Sequence, residues 1–284
     1  MSLSIVIPAK NEAVSLTTLL PELRRCYPEA EIIVVDDGST DDTAAISRHA
    51  GAIVISHPYS KGNGAAIKTG ARNARSDIIA FMDADGQHRP QDINDLLSRL
   101  DENTDMVVGA RNRTGQASGS RLLANSLYNR LASAIVGHHI ADLTSGFRVV
   151  RREKFIEFIS LLPNGFSYPT TITMAFFRAG YTVSYIPIKV LPRTEGTASH
   201  INMLRDGARF LVIIFKIGTL YSPLKLFLPI SVLLFLSGSI YYGYTYLTDG
   251  RFTNMGALLF TTSLLVFLIG LVSEQITALM YRRD

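Results

Sequence analysis

Residues 78–88 read Ile-Ile-Ala-Phe-Met-Asp-Ala-Asp-Gly-Gln-His, an apolar run followed at once by acidic and amide side chains. An apolar run of this length that stops before a glycine is typical of a buried strand that ends at a loop. Side chains two positions apart in an extended chain point the same way, so Asp83 and Asp85 should present two carboxylates together. Because open α/β sheets bind ligands at the carboxyl ends of their strands, we expect a ligand site here.

The same loop offers oxygen atoms suited to a divalent cation. The carboxylates of Asp83 and Asp85 are followed by the amide oxygen of Gln87, and such hard ligands favour Mg²⁺ or Mn²⁺. A cation held in this way could in turn hold a diphosphate. Aspartates are also common in surface turns, where they cap the loop, so the pattern alone leaves that second role open.

The fold class follows from the regions on either side of this loop. Residues 1 to about 110 alternate short apolar runs with polar stretches of helical character. The apolar runs are Leu3–Ile7, Glu31–Val35, Ala52–Ile55, Ile78–Met82 and Met106–Gly109, and the helical stretches are 12–25, 41–50, 62–74 and 90–101. This alternation predicts an α/β fold in which a mostly parallel sheet with right-handed crossovers is flanked by helices. Residues 111–200 are less regular and rich in Gly, Ser and Arg.

Four polar or glycine-bearing loops follow the predicted strands and should meet at one edge of the sheet, where a nucleotide is expected to bind. They are Pro8-Ala9-Lys10-Asn11-Glu12, Val35-Asp36-Asp37-Gly38-Ser39, Lys61-Gly62-Asn63-Gly64 and Asp83-Ala84-Asp85. Ile67 stands where a dinucleotide-binding motif would have its third glycine, and no phosphate-binding P-loop motif is present. These departures argue against a dehydrogenase or a P-loop enzyme. An aspartate at the end of the second strand could instead hydrogen-bond a base or ribose.

Composition excludes few functions. The net charge of +4 over 284 residues is too small to argue for nucleic acid, and we expect no nucleic-acid partner. Cys26 is the only cysteine, so the chain has no internal disulfide.

The C-terminal region is strongly apolar. Residues 226–248 and 252–273 contain no charged side chain, and each stretch would form a helix of roughly 33 Å, enough to cross a hydrocarbon core of about 30 Å. Two buried core helices are the alternative. The short linker at Asp249-Gly250-Arg251 predicts a transmembrane hairpin with spans at about 226–248 and 253–278.

The flanking charges predict the orientation of this hairpin. Basic residues surround its open end, at Lys216, Lys225, Arg282 and Arg283, whereas Arg251 alone marks its tip. By the positive-inside rule both termini are cytoplasmic, which predicts a multi-pass protein of the cytoplasmic membrane. We therefore divide the chain into a cytosolic catalytic domain (1–200), a juxtamembrane segment (201–225) and two spans (226–284).

Two stretches mix apolar and basic residues as interfacial helices do. Residues 201–217 favour this interpretation, because they directly precede the predicted anchor. Residues 121–136 fit an interfacial helix and a core-packing helix equally well.

The motifs, taken together, resemble the family 2 glycosyltransferases of the GT-A (Rossmann-like) fold. The resemblance is strongest to the branch that makes polyprenyl-phosphate sugars, which includes dolichol-phosphate mannose synthase, and it covers residues 3 to about 215. The matching motifs are residues 5–12, 34–39, 61–64 and 83–88, Gly109-Ala110-Arg111, Ser145-Gly146-Phe147-Arg148 and Pro192-Arg193.

The resemblance implies roles for individual residues. It implies that Asp83, Asp85 and Arg111 are catalytic and that Asp85 and Gln87 hold Mg²⁺ or Mn²⁺. Arg111 and Arg121 would bind the acceptor phosphate. The nucleotide sugar would contact Pro8, Ala9, Glu12, Val35, Asp37, Lys61, Asp83, Ala84, Asp85, Arg148, Arg193 and His200. The alternative for each arginine is a solvated surface charge.

Two residues stand apart from these assignments. His200 occupies a position where many relatives carry lysine, and a partly charged imidazole is a weaker fixed cation at pH 7. Glu274 lies at the cytoplasmic end of the second predicted span, where an acid is either functional or reaches the headgroups.

The implied reaction is inverting transfer of a monosaccharide from a UDP- or GDP-hexose to dolichyl or undecaprenyl phosphate at the cytoplasmic membrane face. A lipid phosphate is already largely ionised at neutral pH, so no strong general base is needed. One alternative is a polysaccharide synthase, but such enzymes need a Gln-x-x-Arg-Trp motif and this chain has no tryptophan. Another is an inactive sugar-nucleotide sensor, against which the intact Asp83, Asp85 and Gln87 argue. A homo-oligomer is compatible with the sequence.

Overall fold

The computed structural model describes residues 2–111, 126, 129–130, 132–165, 167–191, 215, 218–219 and 221–280. The chain divides into two compact units, of which the first comprises residues 1–130 and 138–203 and the second residues 131–137 and 204–284.

The first unit is built on a seven-stranded sheet. Its strands are β1 (Leu3–Ala9), β2 (Glu31–Asp36), β3 (Ile53–Ser56), β4 (Ile78–Phe81), β5 (Met106–Arg111), β6 (Arg148–Arg151) and β7 (Val183–Ile188). The strand order is β3-β2-β1-β4-β6-β5-β7, and every pairing is parallel except those of β6. The prediction of a mostly parallel sheet is confirmed, and each of the five predicted strands is present to within two residues at either end.

The insertion of β6 is the feature that the local sequence pattern does not predict. This strand runs antiparallel between β4 and β5, with Arg148 opposite both Phe81 and Val108. Because β6 reverses the direction once on each side, β5 and β7 run the same way as β4. The carboxyl ends of six strands therefore meet at one edge of the sheet.

Helices of the first unit cover the sheet. They are α1 (Ala13–Cys26), α2 (Thr43–His49), α3 (Asn63–Asn73), α4 (Asp92–Arg99), α5 (Arg152–Glu157) and α6 (Tyr168–Arg178), with a 3₁₀ turn at Ile159–Leu161. The helix α1 shows why they pack: its buried residues Leu16, Leu19, Leu20 and Leu23 have the spacing of one helical face. The strands β1, β2 and β4 are buried along almost their whole length, as expected of a sheet covered on both faces.

The second unit contains a short helical segment, 132–136, and two long helices, α7 (Pro223–Asp249) and α8 (Asn254–Met280). Each long helix has 27 residues and so spans about 40 Å. Both are long and apolar enough to cross a membrane. They form a hairpin, as predicted. The helix α7 begins three residues before the expected span and ends one after it, whereas α8 begins one residue later than expected and ends two residues later. Of the two predicted interfacial stretches, half of 121–136 and nearly all of 201–217 lie outside the described residues.

Small side chains lie where the two long helices meet. Their buried residues recur every seventh position: Ser231, Gly238 and Thr245 on α7, and Gly256, Ser263, Gly270 and Thr277 on α8. The hydroxyls of Ser231 and Ser263 each donate to the other residue's carbonyl oxygen at 2.9 Å. Small residues let two helix backbones approach closely in a bilayer, where packing rather than the hydrophobic effect holds helices together.

The structure also assigns a local role to Glu274. Its carboxylate accepts hydrogen bonds from the Leu224 backbone N–H and the Ser222 hydroxyl, both at 3.1 Å. These donors lie at the start of α7, where backbone N–H groups lack helical partners and carry partial positive charge. Glu274 therefore caps the first long helix from the second.

Candidate active site

A cavity of about 520 Å³ opens at the carboxyl edge of the sheet, within the first unit. Its size lies within the range usual for small-molecule sites, about 300–1,000 Å³. The loops after β1, β2, β3 and β4 and the end of β5 all contribute to it. The lining residues are Pro8, Ala9, Lys10, Glu12, Asp37, Ser60, Gly62, Asn63, Ala66, Asp83, Ala84, Asp85, Gln87 and Arg111.

Asp37 organises one wall of this cavity. Its carboxylate accepts hydrogen bonds from the His57 ring at 2.7 Å and from the Ser60 hydroxyl and the Lys61 and Gly62 backbone N–H groups, each at 2.8 Å. Burial opposes its ionisation, but the hydrogen bonds outweigh burial and lower the pKa of Asp37 to about 2. Two donors on each oxygen fill the roughly four acceptor positions of a carboxylate. Asp37 thus ties the β3–α3 loop to the end of β2.

The loops after β1 and β2 are joined to each other. Asn11 adopts a left-handed conformation with φ of 55°, and its side-chain oxygen accepts a hydrogen bond from the Thr40 N–H at 2.8 Å. The next residue, Glu12, donates its own backbone N–H to the Thr43 hydroxyl at 2.9 Å. Asparagine tolerates this conformation better than most residues. These bonds fix the backbone from which Glu12 enters the cavity lining.

The acidic loop after β4 carries the candidate cation ligands. Asp83, Asp85 and Gln87 all line the cavity. The Gln87 backbone N–H donates to Asp85 Oδ1 at 3.2 Å, and its side-chain NH₂ donates to Leu191 O at 3.4 Å. An amide NH₂ group does not coordinate cations, so the amide oxygen is the Gln87 atom suited to one, and the hydrogen bond to Leu191 O orients the amide.

This donor set fits a magnesium-type ion. Mg²⁺ is commonly held by one or two carboxylates together with substrate phosphate oxygens and water, rather than by a complete cage of protein ligands. In the described part of the chain no three His, Cys, Asp or Glu side chains form a metal-binding cluster. Two carboxylates and an amide oxygen therefore suit an ion that arrives with a diphosphate.

Arg111 faces the same cavity and is held by Asp142. The Nε and Nη2 atoms of Arg111 donate to the two Asp142 oxygens at 2.7 and 2.9 Å, and Nη2 also donates to the Thr144 hydroxyl. Burial alone would lower the pKa of Arg111, but its hydrogen bond to Asp142 and the charges of Asp142 and Asp83 raise it. Arg111 is thus a fixed, oriented cation whose side chain remains 30% exposed.

Most of the predicted site residues lie together. The cavity lining includes Pro8, Ala9, Glu12, Asp37, Asp83, Ala84, Asp85, Gln87 and Arg111. Three others lie outside the described residues: Arg121, Arg193 and His200. Val35 and Lys61 are described but are not part of the lining. Val35 is fully buried within the sheet, and the exposed side chain of Lys61 lies over the Tyr59 ring.

Arg148 is not positioned to approach a diphosphate, contrary to the prediction. Its side chain has 0% exposure because it projects from β6, an interior strand. Its guanidinium donates to the Ser145 and Pro169 carbonyl oxygens and to the Thr173 hydroxyl. The alternative interpretation, a solvated surface charge, is equally excluded.

Several residues of the site were not singled out from the sequence. Asp142 lies 31 positions after Arg111 in an irregular region, although its place three residues before the Ser145 motif is a usable signal. His57 directly follows β3, so the convergence of strand ends could have identified it.

The glycines of Lys61-Gly62-Asn63-Gly64 have a packing role, since a Cβ on Gly64 would overlap Pro163 O.

Comparison with known proteins agrees with this geometry. The family model described as glycosyl transferase family 2 matches residues 4–159, more than half of the chain. The chain belongs to glycosyltransferase family 2. A second model, described as the GtrB C-terminal hairpin, matches residues 222–279 of this family 2 protein. The two matches correspond to the sheet-based unit and to the pair of long helices.

Relatives of this family 2 glycosyltransferase include proteins that act on polyprenyl phosphates. It is 30% identical to an undecaprenyl-phosphate mannosyltransferase from Micrococcus luteus, over 69% of this chain and 86% of the relative. It is also 26% identical to glycosyltransferase AglJ of Haloferax volcanii, over 97% of this chain and 93% of the relative. The second match includes the helical hairpin.

The fold has solved counterparts. Glucosyl-3-phosphoglycerate synthase from Mycobacterium tuberculosis, crystallised with Mn²⁺, UDP and phosphoglyceric acid, superposes with a TM-score of 0.60 at 22% identity. The match covers 76% of this chain and 78% of that one. At this identity the likeness shows a shared GT-A fold.

Proposed function

We propose that this glycosyltransferase moves a hexose from a UDP- or GDP-sugar to a polyprenyl phosphate, with inversion and with the help of Mg²⁺ or Mn²⁺. The observation that carries this proposal is that Asp83, Asp85, Gln87 and Arg111 line the same cavity. That cavity combines ligands for a cation with a fixed positive charge. The relatives that act on undecaprenyl phosphate support the acceptor class.

The donor would occupy the cavity with its base and ribose between Pro8, Glu12 and Asp37. Its diphosphate would then lie beside Asp85 and Gln87. A bound cation would act as a Lewis acid on the departing diphosphate. Asp83, on the same loop, would contact the sugar or the diphosphate and hold the donor in register.

The acceptor needs orientation more than activation. A phosphate monoester has a second pKa of about 6 and is largely dianionic at neutral pH. Arg111, which Asp142 holds in place, would bind this dianion and direct one oxygen at the anomeric carbon. Direct displacement of the nucleoside diphosphate then inverts that carbon. No side chain need remove a proton.

The membrane helices would supply access to the lipid. A polyprenol tail stays in the bilayer, so an enzyme that uses its phosphate must lie at the membrane surface. We propose that α7 and α8 anchor the catalytic unit at the cytoplasmic face, with both termini on that side. The excess of basic residues at the open end of the hairpin supports this orientation.

The proposal is tested with purified protein, polyprenyl phosphate, Mn²⁺ or Mg²⁺ and a panel of radiolabelled UDP- and GDP-sugars. We expect label in the organic phase with one donor, and a product whose anomeric configuration, determined by NMR, is opposite to that of the donor. Label only in a water-soluble polymer would favour a polysaccharide synthase. No transfer from any donor would contradict the proposal.

The orientation is tested separately. In a Cys26→Ser background, Arg251→Cys places one thiol at the hairpin tip. We expect a membrane-impermeant maleimide to label that thiol in intact cells. Protection of the thiol until the cells are lysed would reverse the proposed topology.

A further inference from the structure

The segment Ser145–Gly146, which leads into β6, lies directly against one of the two acidic residues of the site. Gly146 approaches Asp83 so closely that an added Cβ would lie 3.2 Å from Asp83 Oδ2 and 3.3 Å from the Tyr168 hydroxyl oxygen. Such a separation is shorter than an ordinary van der Waals contact, so only glycine fits without moving a neighbour. The Ser145–Gly146 segment therefore forms one side of the space that the Asp83 carboxylate occupies.

Four hydrogen bonds hold this segment in place. The Ser145 hydroxyl donates to Gly109 O at 2.7 Å, and the Tyr168 hydroxyl donates to Gly146 O at 3.3 Å. The Ser145 backbone N–H donates to Asp142 Oδ1 at 3.1 Å, and the Arg148 guanidinium donates to Ser145 O. The segment is thereby attached to β5, to the start of α6, to Asp142 and to β6.

Arg148 is unusual in its surroundings. Fully buried arginines are rare unless they are paired with an acid, yet none of the ion pairs among the described residues includes Arg148. Its partners are the Ser145 and Pro169 carbonyls, the Thr173 hydroxyl, the Met106 sulfur and the Tyr168 ring face. Burying a cation in this way is costly for stability, which calls for a reason other than folding.

The hydrogen bonds that Arg148 and Tyr168 donate suggest why a buried cation is present here. Arg148 and Tyr168 both donate to carbonyl oxygens of the Ser145–Gly146 segment, and Gly146 lies against Asp83. Neither Arg148 nor Tyr168 is part of the cavity lining, so we assign neither of them a direct contact with the donor.

We infer that Arg148 and Tyr168 are positioning residues that fix the Asp83 carboxylate for sugar transfer through the Ser145–Gly146 segment. The inference rests on the proposed function, in which Asp83 contacts the donor. Arg148 then acts on the donor indirectly, through Asp83, and does not contact the diphosphate.

The most informative variant is Tyr168→Phe, which keeps the ring and removes one hydroxyl. We expect its kcat to fall about fivefold, since the hydrogen bond to Gly146 O is lost. The donor KM and the affinity for Mn²⁺ with the nucleoside diphosphate, measured by calorimetry, should change less than twofold. Gly146→Ala should lower kcat about tenfold or more, because its Cβ displaces the carboxylate by a few tenths of an ångström.

Tyr185→Phe is the matched control. The Tyr185 hydroxyl is also buried near Arg148, but it has no hydrogen-bond partner among the described residues. We expect wild-type kcat from this variant. Arg148→Lys, which keeps the charge but cannot reach all three oxygen acceptors, should lower kcat more than Tyr168→Phe does, in protein that retains its near-UV circular dichroism.

Two results would overturn the inference. One is equal kcat for Tyr168→Phe and Tyr185→Phe in an active enzyme. The other, which does not depend on transfer, is an unchanged Asp83 side-chain position in experimental structures of wild type and Gly146→Ala. Failure of the proposed function would look different, because the wild type itself would then be inactive with every donor.

Discussion

Asp37 offers the most quantitative prediction, because its carboxylate joins four donors and has a strongly lowered pKa. The pKa falls from 3.8 to about 2 on folding, and each pKa unit corresponds to about 1.4 kcal/mol, so the ionised group stabilises the fold by about 2 kcal/mol at pH 7. In Asp37→Asn one oxygen becomes an NH₂ group, which leaves two of the donors facing another donor. We therefore expect a loss of at least about 2 kcal/mol in the free energy of unfolding.

The pH dependence has a definite sign. A group whose pKa is lower in the folded state stabilises the protein fully above its unfolded pKa, here 3.8, and this stabilisation disappears as the pH falls through the folded value. The difference between wild type and Asp37→Asn should therefore be constant from pH 7 to about pH 5. The pH-dependent part of this stability difference should fall to about half of its pH 7 value near pH 3.

The assay is urea unfolding of the full chain in detergent, followed by near-UV circular dichroism, in which tyrosine dominates because there is no tryptophan. Asp42→Asn is the control, since Asp42 is exposed at the end of the same loop, directly before α2, and should change stability by less than about 0.5 kcal/mol. The donor KM should also rise in Asp37→Asn, because the loop that it holds lines the cavity. A stability difference below about 1 kcal/mol, or one that grows as the pH falls from 5 to 3, would refute the reasoning.

Three further predictions concern the acceptor side, the hairpin and the cation. Asp142→Asn should raise the KM for polyprenyl phosphate about tenfold and leave the donor KM unchanged, because Arg111 loses its bidentate partner; equal effects on both KM values would contradict this. Glu274→Leu should lower the free energy of unfolding in detergent by about 1 kcal/mol, because the cap on Leu224 is lost, and thermal unfolding measures this change. Glu274→Gln should retain most of the wild-type stability. Identical melting of Glu274→Leu and wild type would exclude the cap. EDTA should abolish transfer, and Mn²⁺ or Mg²⁺ should restore it. Full activity in EDTA would show that transfer needs no divalent cation.

The strands and helices of the first 110 residues were predictable because their signals are local. An apolar run such as 78–82 predicts a buried strand whatever its position in the sheet. The spacing of the leucines in α1 likewise marks the buried face of that helix. Parallel topology then brings the loops that follow these strands to one edge. This is why Asp37, Asp83 and Asp85, separated along the sequence, could be expected in one cavity.

The remaining features depend on contacts between distant segments. The strand β6 has only four residues and carries arginine at both ends, so no periodicity marks it as an interior strand. The burial of Arg148 follows from that placement, and arginine is otherwise expected at the surface. The pairing of Arg111 with Asp142 likewise joins a strand end to an irregular segment.

The roles implied for Arg121, Arg193 and His200 remain predictions of the family resemblance, as these residues lie outside the described ranges. Substitution of each by alanine, with separate KM values for donor and acceptor, would assign them to one substrate or the other.

The most direct test of the central claim, that the loop after β4 holds the donor for transfer to a lipid phosphate, is a comparison of Asp85→Ala with wild type. Asp95→Ala, which removes an exposed carboxylate from α4, is the control. The assay contains polyprenyl phosphate, Mn²⁺ and the radiolabelled sugar nucleotide that the donor panel shows to be active with wild type. We predict organic-phase label from wild type and Asp95→Ala, and at least a hundredfold less label from folded Asp85→Ala. Undiminished transfer by Asp85→Ala would contradict the account.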